Sequence, residues 1–277
     1  MCTEFIQIGA FAALLTFFLN SAFADENVVR CEHSKVNTED PDTLGKGLIQ
    51  FQFNEAYRRY DKAPALSGED KSSYHTLSEI VLTYGATDNL DLAIGSGYAW
   101  LTDYASTPFA GEGISDLNIG AKWRFFADKE RGFALGYVPT LIIPTAETPS
   151  GAEIEPGQEF WSIDTRFVAL KDWTPLWTTN FDIGYDLAFG DRHDRDGAFG
   201  TNFAVGYHLH PWFQPEVELN YTHEFLDQQD TDLLAVTVGA ELPLSSLVCA
   251  RIGAQRGIYQ ENVVLITTVS MSVEFTF

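Results

Sequence analysis

From Val263 to Phe277 the chain alternates without a break. Val263, Leu265, Thr267, Val269, Met271, Val273, Phe275 and Phe277 fall on one face, and Val264, Ile266, Thr268, Ser270, Ser272, Glu274 and Thr276 on the other. A period of two is the mark of a β-strand. Fifteen residues is long beside the roughly five or six of an ordinary strand, and it exceeds the roughly 9 to 11 tilted residues that cross a bilayer.

The same pattern recurs through the chain. Leu90, Leu92, Ile94, Tyr98 and Trp100 oppose Asp91, Ala93, Gly95, Gly97 and Ala99; Leu117, Ile119, Ala121, Trp123 and Phe125 oppose Asp116, Asn118, Gly120, Lys122 and Arg124. Trp177, Phe181, Ile183, Tyr185, Leu187 and Phe189 oppose Thr178, Asn180, Asp182, Gly184 and Asp186. Alternation alone fits a soluble sandwich as well as a membrane barrel. The tryptophans separate the two: all six, at positions 100, 123, 161, 173, 177 and 212, fall at expected strand ends or in adjoining turns. Interfacial girdles place aromatic rings there, with aliphatic side chains between them. The opposing faces carry Gly, Asn, Thr and charges, which suit a wet lumen and would be costly in a dry core.

Connections alternate in length. Short turns are expected near 85–89, 127–131, 171–175, 210–213 and 243–246, and mostly longer loops near 61–73, 102–113, 145–158, 190–197, 226–231 and 257–262. Short periplasmic turns and longer outer loops are the outer-membrane pattern. The expected fold is therefore all-β: a transmembrane, antiparallel, up-and-down β-barrel of about twelve strands over residues 46–277. The mean hydropathy of −0.08 does not argue against this, because lipid-facing and lumen-facing residues average out.

Residues 1–24 read as a signal peptide, with an apolar run from Ile6 to Leu19 and small residues at Ala22 and Ala24. The leader departs from the usual form by carrying Glu4 and no Lys or Arg before that run. Residues 25–45, polar and aperiodic, are expected to form a mobile periplasmic N-terminal segment. The expected location is the outer membrane after export, with outer-membrane lipids as surroundings. The net charge of −22 excludes nucleic acid as a partner bound through a basic patch.

Three stretches carry a family resemblance. Tyr84-Gly85-Ala86-Thr87-Asp88-Asn89-Leu90-Asp91-Leu92, Gly113-Ile114-Ser115-Asp116-Leu117-Asn118-Ile119-Gly120-Ala121-Lys122-Trp123-Arg124-Phe125 and Ile143-Pro144-Thr145-Ala146 resemble the outer-membrane barrels of the MetA-pathway phenol-degradation family. Ala146 stands where that family usually has Gly. The resemblance implies a transporter of small hydrophobic or aromatic solutes and brings no catalytic residues. It also implies that Val269, Met271, Val273, Phe275 and Phe277 form the signal read by the outer-membrane assembly machinery.

The expected lumen charges are acidic Asp182, Asp186, Glu216, Glu218, Glu241 and Glu274 and basic Lys122, Arg124, Arg166 and Arg251. Two arrangements are open: a wall of each sign that orients polar or aromatic solutes, or cross-strand pairs that plug the lumen. Twelve strands lie between the filled barrel of roughly eight and the open porin of roughly sixteen. The reading is a passive channel or uptake protein, with a closed-lumen structural or surface-interaction barrel as the alternative and a rim hydrolase third. His223, in Tyr221-Thr222-His223-Glu224-Phe225, invites the hydrolase reading, but no Ser follows nearby. Asp191-Arg192-His193-Asp194 reads as a surface loop. His208 and His210 lack a third nearby ligand, so neither a metal nor another cofactor is expected. Cys31 and Cys249, the two cysteines outside the leader, are a candidate disulfide that would tether the N-terminal segment at the barrel mouth.

Overall fold

A computed structural model of the chain describes residues 33, 35–60, 73–102, 110–146, 156–158, 160–190, 195–227, 229–263 and 265–277. The strands are β1 (Ile49–Tyr60), β2 (Ser73–Thr87), β3 (Leu90–Thr102), β4 (Ala110–Ile114), β5 (Leu117–Asp128), β6 (Phe133–Ile143) and β7 (Trp161–Thr174). They continue with β8 (Trp177–Phe189), β9 (Arg195–Tyr207), β10 (Gln214–Leu226), β11 (Thr231–Pro243), β12 (Val248–Glu261) and β13 (Ile266–Thr276).

Neighbours in sequence pair antiparallel, and β1 pairs with both β2 and β13. The sheet thus closes on itself and leaves no edge, as a sheet in hydrocarbon requires. β4 and β5 both pair with β3, so they are two halves of one wall position interrupted at Ser115-Asp116. The result is the expected twelve-strand closed barrel.

The period of two sorts the residues inside out. Along β8, Thr178, Asn180 and Asp182 are buried while Trp177, Phe181, Ile183 and Tyr185 are exposed. Exposed large apolar side chains mark the outer surface of every long strand except β6, whose outward residues are half-buried. Aromatic contacts mark its two ends: Trp177 with Tyr207 and Trp123 with Phe125 at the short-turn end, Tyr98 with Trp100 and Trp161 with Phe189 at the long-loop end.

Three expectations need correction. The C-terminal strand spans Ile266–Thr276 rather than Val263 to Phe277, because Asn262, with positive φ, turns the chain beforehand. Residues 110–113, expected in a loop, pair with β3. Residues 35–44 do not hang free beneath the barrel but lie inside it, bonded to the wall.

Candidate functional site

The lumen is filled on one side by its own N-terminal segment. Val36 N–H donates to Glu216 Oε1 at 2.9 Å, and Asn37 N–H donates to Glu218 Oε1 at 3.0 Å. Thr38 Oγ1 donates to Glu218 Oε2 at 3.0 Å, and Glu39 N–H donates to Asp182 Oδ2 at 2.9 Å. Leu44 N–H reaches Asp91 Oδ2 at 2.9 Å, and the Thr43 hydroxyl donates to the Asp88 carbonyl at 2.8 Å. The segment therefore follows the inner wall from β12 past β10, β8 and β5 to β3. Most of these bonds give a wall carboxylate a further donor, beside those that Arg166, Asn202 and Asn220 already supply to Asp182 and Glu218.

Small wall residues make room for it. A Cβ on Gly239 or Gly253 would lie 2.6 or 2.7 Å from a Val36 methyl, and one on Gly136 would lie 3.1 Å from Pro41. At the mouth, a Cβ on Gly85 would lie 1.9 Å from the Gly45 carbonyl oxygen. The backbones meet there: Gly47 N–H donates to the Gly85 carbonyl at 2.7 Å, and Gly85 N–H donates to the Leu48 carbonyl at 2.9 Å.

The ten residues expected in the lumen all lie on the inward register. Their charges do not form opposed walls of single sign. Arg166 bonds Asp164 and Asp182, each at 2.8 Å. Arg251 pairs with Glu274, and Arg195 with Asp186. Lys122 Nζ is 3.6 Å from Asp40 Oδ1, and Arg124 is 3.5 Å from Asp42. Glu218, Glu241 and Asp182 are fully enclosed. Burial pushes the Asp40 carboxyl up, with the Lys122 charge acting against that shift.

His33 clamps the segment at the short-turn end. Its Nδ1 is 2.7 Å from Asp42 and its Nε2 is 3.1 Å from Asp172. Burial opposes its charge, but the bonds to Asp172 and Asp42 prevail and raise its pKa to about 10. Cys249, buried on the inner face of β12, is disulfide-bonded. Cys31 lies outside the described residues.

Beside the segment, a cavity of about 880 Å³ remains open. It is lined by Gln52, Asn54, Glu79, Asn118 and Arg58, with small residues such as Ala56, Ala93 and Gly95 between them. Glu79 accepts from the Asn54 and Asn118 amides at 3.0 and 3.2 Å. Asn118, Ala93 and Gly95 fall on expected inward faces, whereas Gln52, Asn54, Arg58 and Glu79 were not expected there, nor residues 35–44 within the lumen. The signal for the β1 residues was present, since Gln50, Gln52, Asn54 and Arg58 alternate with Phe51, Phe53 and Tyr57.

His223 faces outward, with Nδ1 3.0 Å from Asp232 Oδ1 and its ring edge-on to Phe225. The Tyr221 hydroxyl donates to the same Asp232 oxygen at 2.5 Å. Residues 191–194 lie outside the described residues, and among the described residues no cluster of metal ligands forms.

The stretches that carry the family resemblance meet in space. Asp116 accepts from Thr145 N–H at 3.1 Å, Ala146 N–H at 3.2 Å and Gln158 N–H at 2.6 Å, fastening the chain after β6 across the break between β4 and β5.

The fold is shared with solved barrels. An outer membrane channel of the COG4313 group from Pseudomonas putida F1 superposes with a TM-score of 0.75 at 17% identity, over 88% of this chain and 100% of that one. The NanC porin gives 0.54 at 11%, over 81% and 98% of the two chains. The β domain of the Bordetella autotransporter BrkA gives 0.54 at 13%, over 84% and 100%. Identities this low establish the fold alone. No curated protein matches the sequence. The family described as "Putative MetA-pathway of phenol degradation" matches residues 34–271, and the chain belongs to it.

Proposed function

We propose that the protein is a passive outer-membrane channel for small hydrophobic or aromatic solutes, narrowed along one wall by residues 35–44. The observation that carries this reading is the open cavity of about 880 Å³ beside the segment. A lumen that served only to stabilise a closed barrel would be packed across, as in barrels of roughly eight strands. The solute class comes from the family, whose description is phenol degradation, and the fold is that of a protein described as an outer membrane channel. Lipid-facing aromatic girdles support placement among outer-membrane lipids. Efflux of a preloaded small aromatic from proteoliposomes tests the reading: release above that of protein-free vesicles supports it, and equal release overturns it.

The same reading gives residues 1–24 the role of an export leader and Val269, Met271, Val273, Phe275 and Phe277 that of the assembly signal. Cys31 is the proposed partner of Cys249, because Cys2 falls in the leader and the sequence holds no other cysteine. Alkylation of the mature protein without reductant tests the pairing: two free thiols would refute it.

A further inference from the structure

The lumen cations of the described wall differ in one respect. Lys122, Arg124, Arg166, Arg195 and Arg251 each have a carboxylate partner. Arg58 does not: among the described residues its guanidinium has no ion-pair or hydrogen-bond partner, although it lines the open cavity. Asp and Glu outnumber Lys and Arg by 39 to 17 in this chain, so a cation left without one stands out. Glu79, the nearest acid on the inward face of β2, is engaged by the Asn54 and Asn118 amides instead.

A second group lies beside Arg58, at the edge of the cavity lining. His75 is the register partner of Arg58 on β2. Its Nε2 is buried from solvent and has no hydrogen-bond partner. A buried polar nitrogen without a partner costs free energy comparable to a lost hydrogen bond unless something else supplies one. The next inward row toward the membrane centre pairs Ala56 with Leu77, and both line the cavity. The sequence thus sets a cationic fork and an imidazole donor directly above an apolar surface.

We propose that Arg58 and His75 form a subsite for the carboxylate of a small aromatic acid, with Ala56 and Leu77 carrying the ring. It rests on the channel reading, since it lies where a solute entering from the long-loop end would pass. Arg58 takes the two oxygens through its planar N–H fork, the geometry that distinguishes arginine from lysine. The His75 ring nitrogen donates to one of them. No proton or bond is transferred; the step is binding.

The test is equilibrium binding of 4-fluorobenzoate to the detergent-solubilised full protein by ligand-observed fluorine NMR, with 4-fluorotoluene as the neutral control. Wild type should bind the acid, Arg58→Gln should bind it at least tenfold more weakly, and His75→Ala should bind it several-fold more weakly. Arg58→Lys, which keeps the charge and loses the fork, should fall between wild type and Arg58→Gln. Binding of 4-fluorotoluene should be the same in all four. Heat-modifiable migration on gels confirms that each variant is a closed barrel. Unchanged benzoate affinity in folded Arg58→Gln, or no benzoate binding by wild type, overturns the subsite. Failure of the channel reading looks different: benzoate binds and depends on Arg58, yet solute does not cross vesicles that contain the protein.

Discussion

Glu218 accepts the Asn37 backbone N–H at 3.0 Å, joining β10 to a residue 181 positions earlier. The same carboxylate takes the Thr38 hydroxyl, so one buried side chain holds two consecutive residues of the segment against the wall. Bonds to an ionised acceptor contribute roughly 1.5 to 3 kcal/mol each. Glu218→Ala should therefore release the segment without opening the barrel, whose strands keep their ladder bonds. Limited proteolysis of folded protein should cleave the N-terminal segment of the variant several-fold faster than that of wild type, and equal rates would refute the anchoring role.

Gly253 offers a test by shape instead of charge. The three atoms nearest an added Cβ all belong to the Val36 side chain, so Gly253→Ala should push first on the segment. Overpacking of this kind costs about 1 to 3 kcal/mol. Adding Val36→Ala should restore wild-type protease resistance, a coupling expected only for residues in contact. Additive effects in the double variant would contradict the packing.

His33 gives the segment a pH dependence whose sign follows from its raised pKa. The protonated ring is favoured when docked, with a pKa of about 10 against an ordinary 6.5. Its contribution is complete below about 6.5 and is lost as pH rises through about 10. Channel conductance should therefore be lowest below about pH 6.5, rise between there and about pH 10, and level off above that. His33→Gln should show higher conductance at neutral pH and lack that step. A step of equal size in the variant would assign it to another group.

Asp116 closes the gap left by the interrupted strand. Asp116→Ala leaves the Thr145, Ala146 and Gln158 amides without their acceptor. Proteolytic nicking between residues 145 and 158 should become several-fold faster, with Asp116→Asn between the two. An unchanged cleavage pattern would show that other contacts hold this connection.

The wall of the barrel was legible because side-chain identity changes at every residue there: Asp182 lies between Phe181 and Ile183, and one enters the lumen while the others face lipid. Glu216 and Glu218 could be placed inward for the same reason. What they bind could not be read. Their partners are the backbone amides of Val36, Asn37 and neighbouring residues, and a backbone amide leaves no trace in a sequence pattern. The break at Ser115-Asp116 was hidden likewise, since Asp116 continues the alternation of Asn118, Gly120 and Lys122. Of the two arrangements of lumen charge that the sequence leaves open, opposed walls are not formed, because inward carboxylates lie next to inward arginines, as Asp164 and Asp182 do to Arg166. Pairing at 2.8 Å neutralises what a separated arrangement would have left as a field.

Single-channel recording in planar bilayers tests the central claim, a passive lumen narrowed by its own N-terminal segment. Wild type should give discrete current steps, and a variant lacking residues 25–44 should give larger ones at the same voltage and salt. Folded, heat-modifiable protein that carries no current in either form would contradict the account.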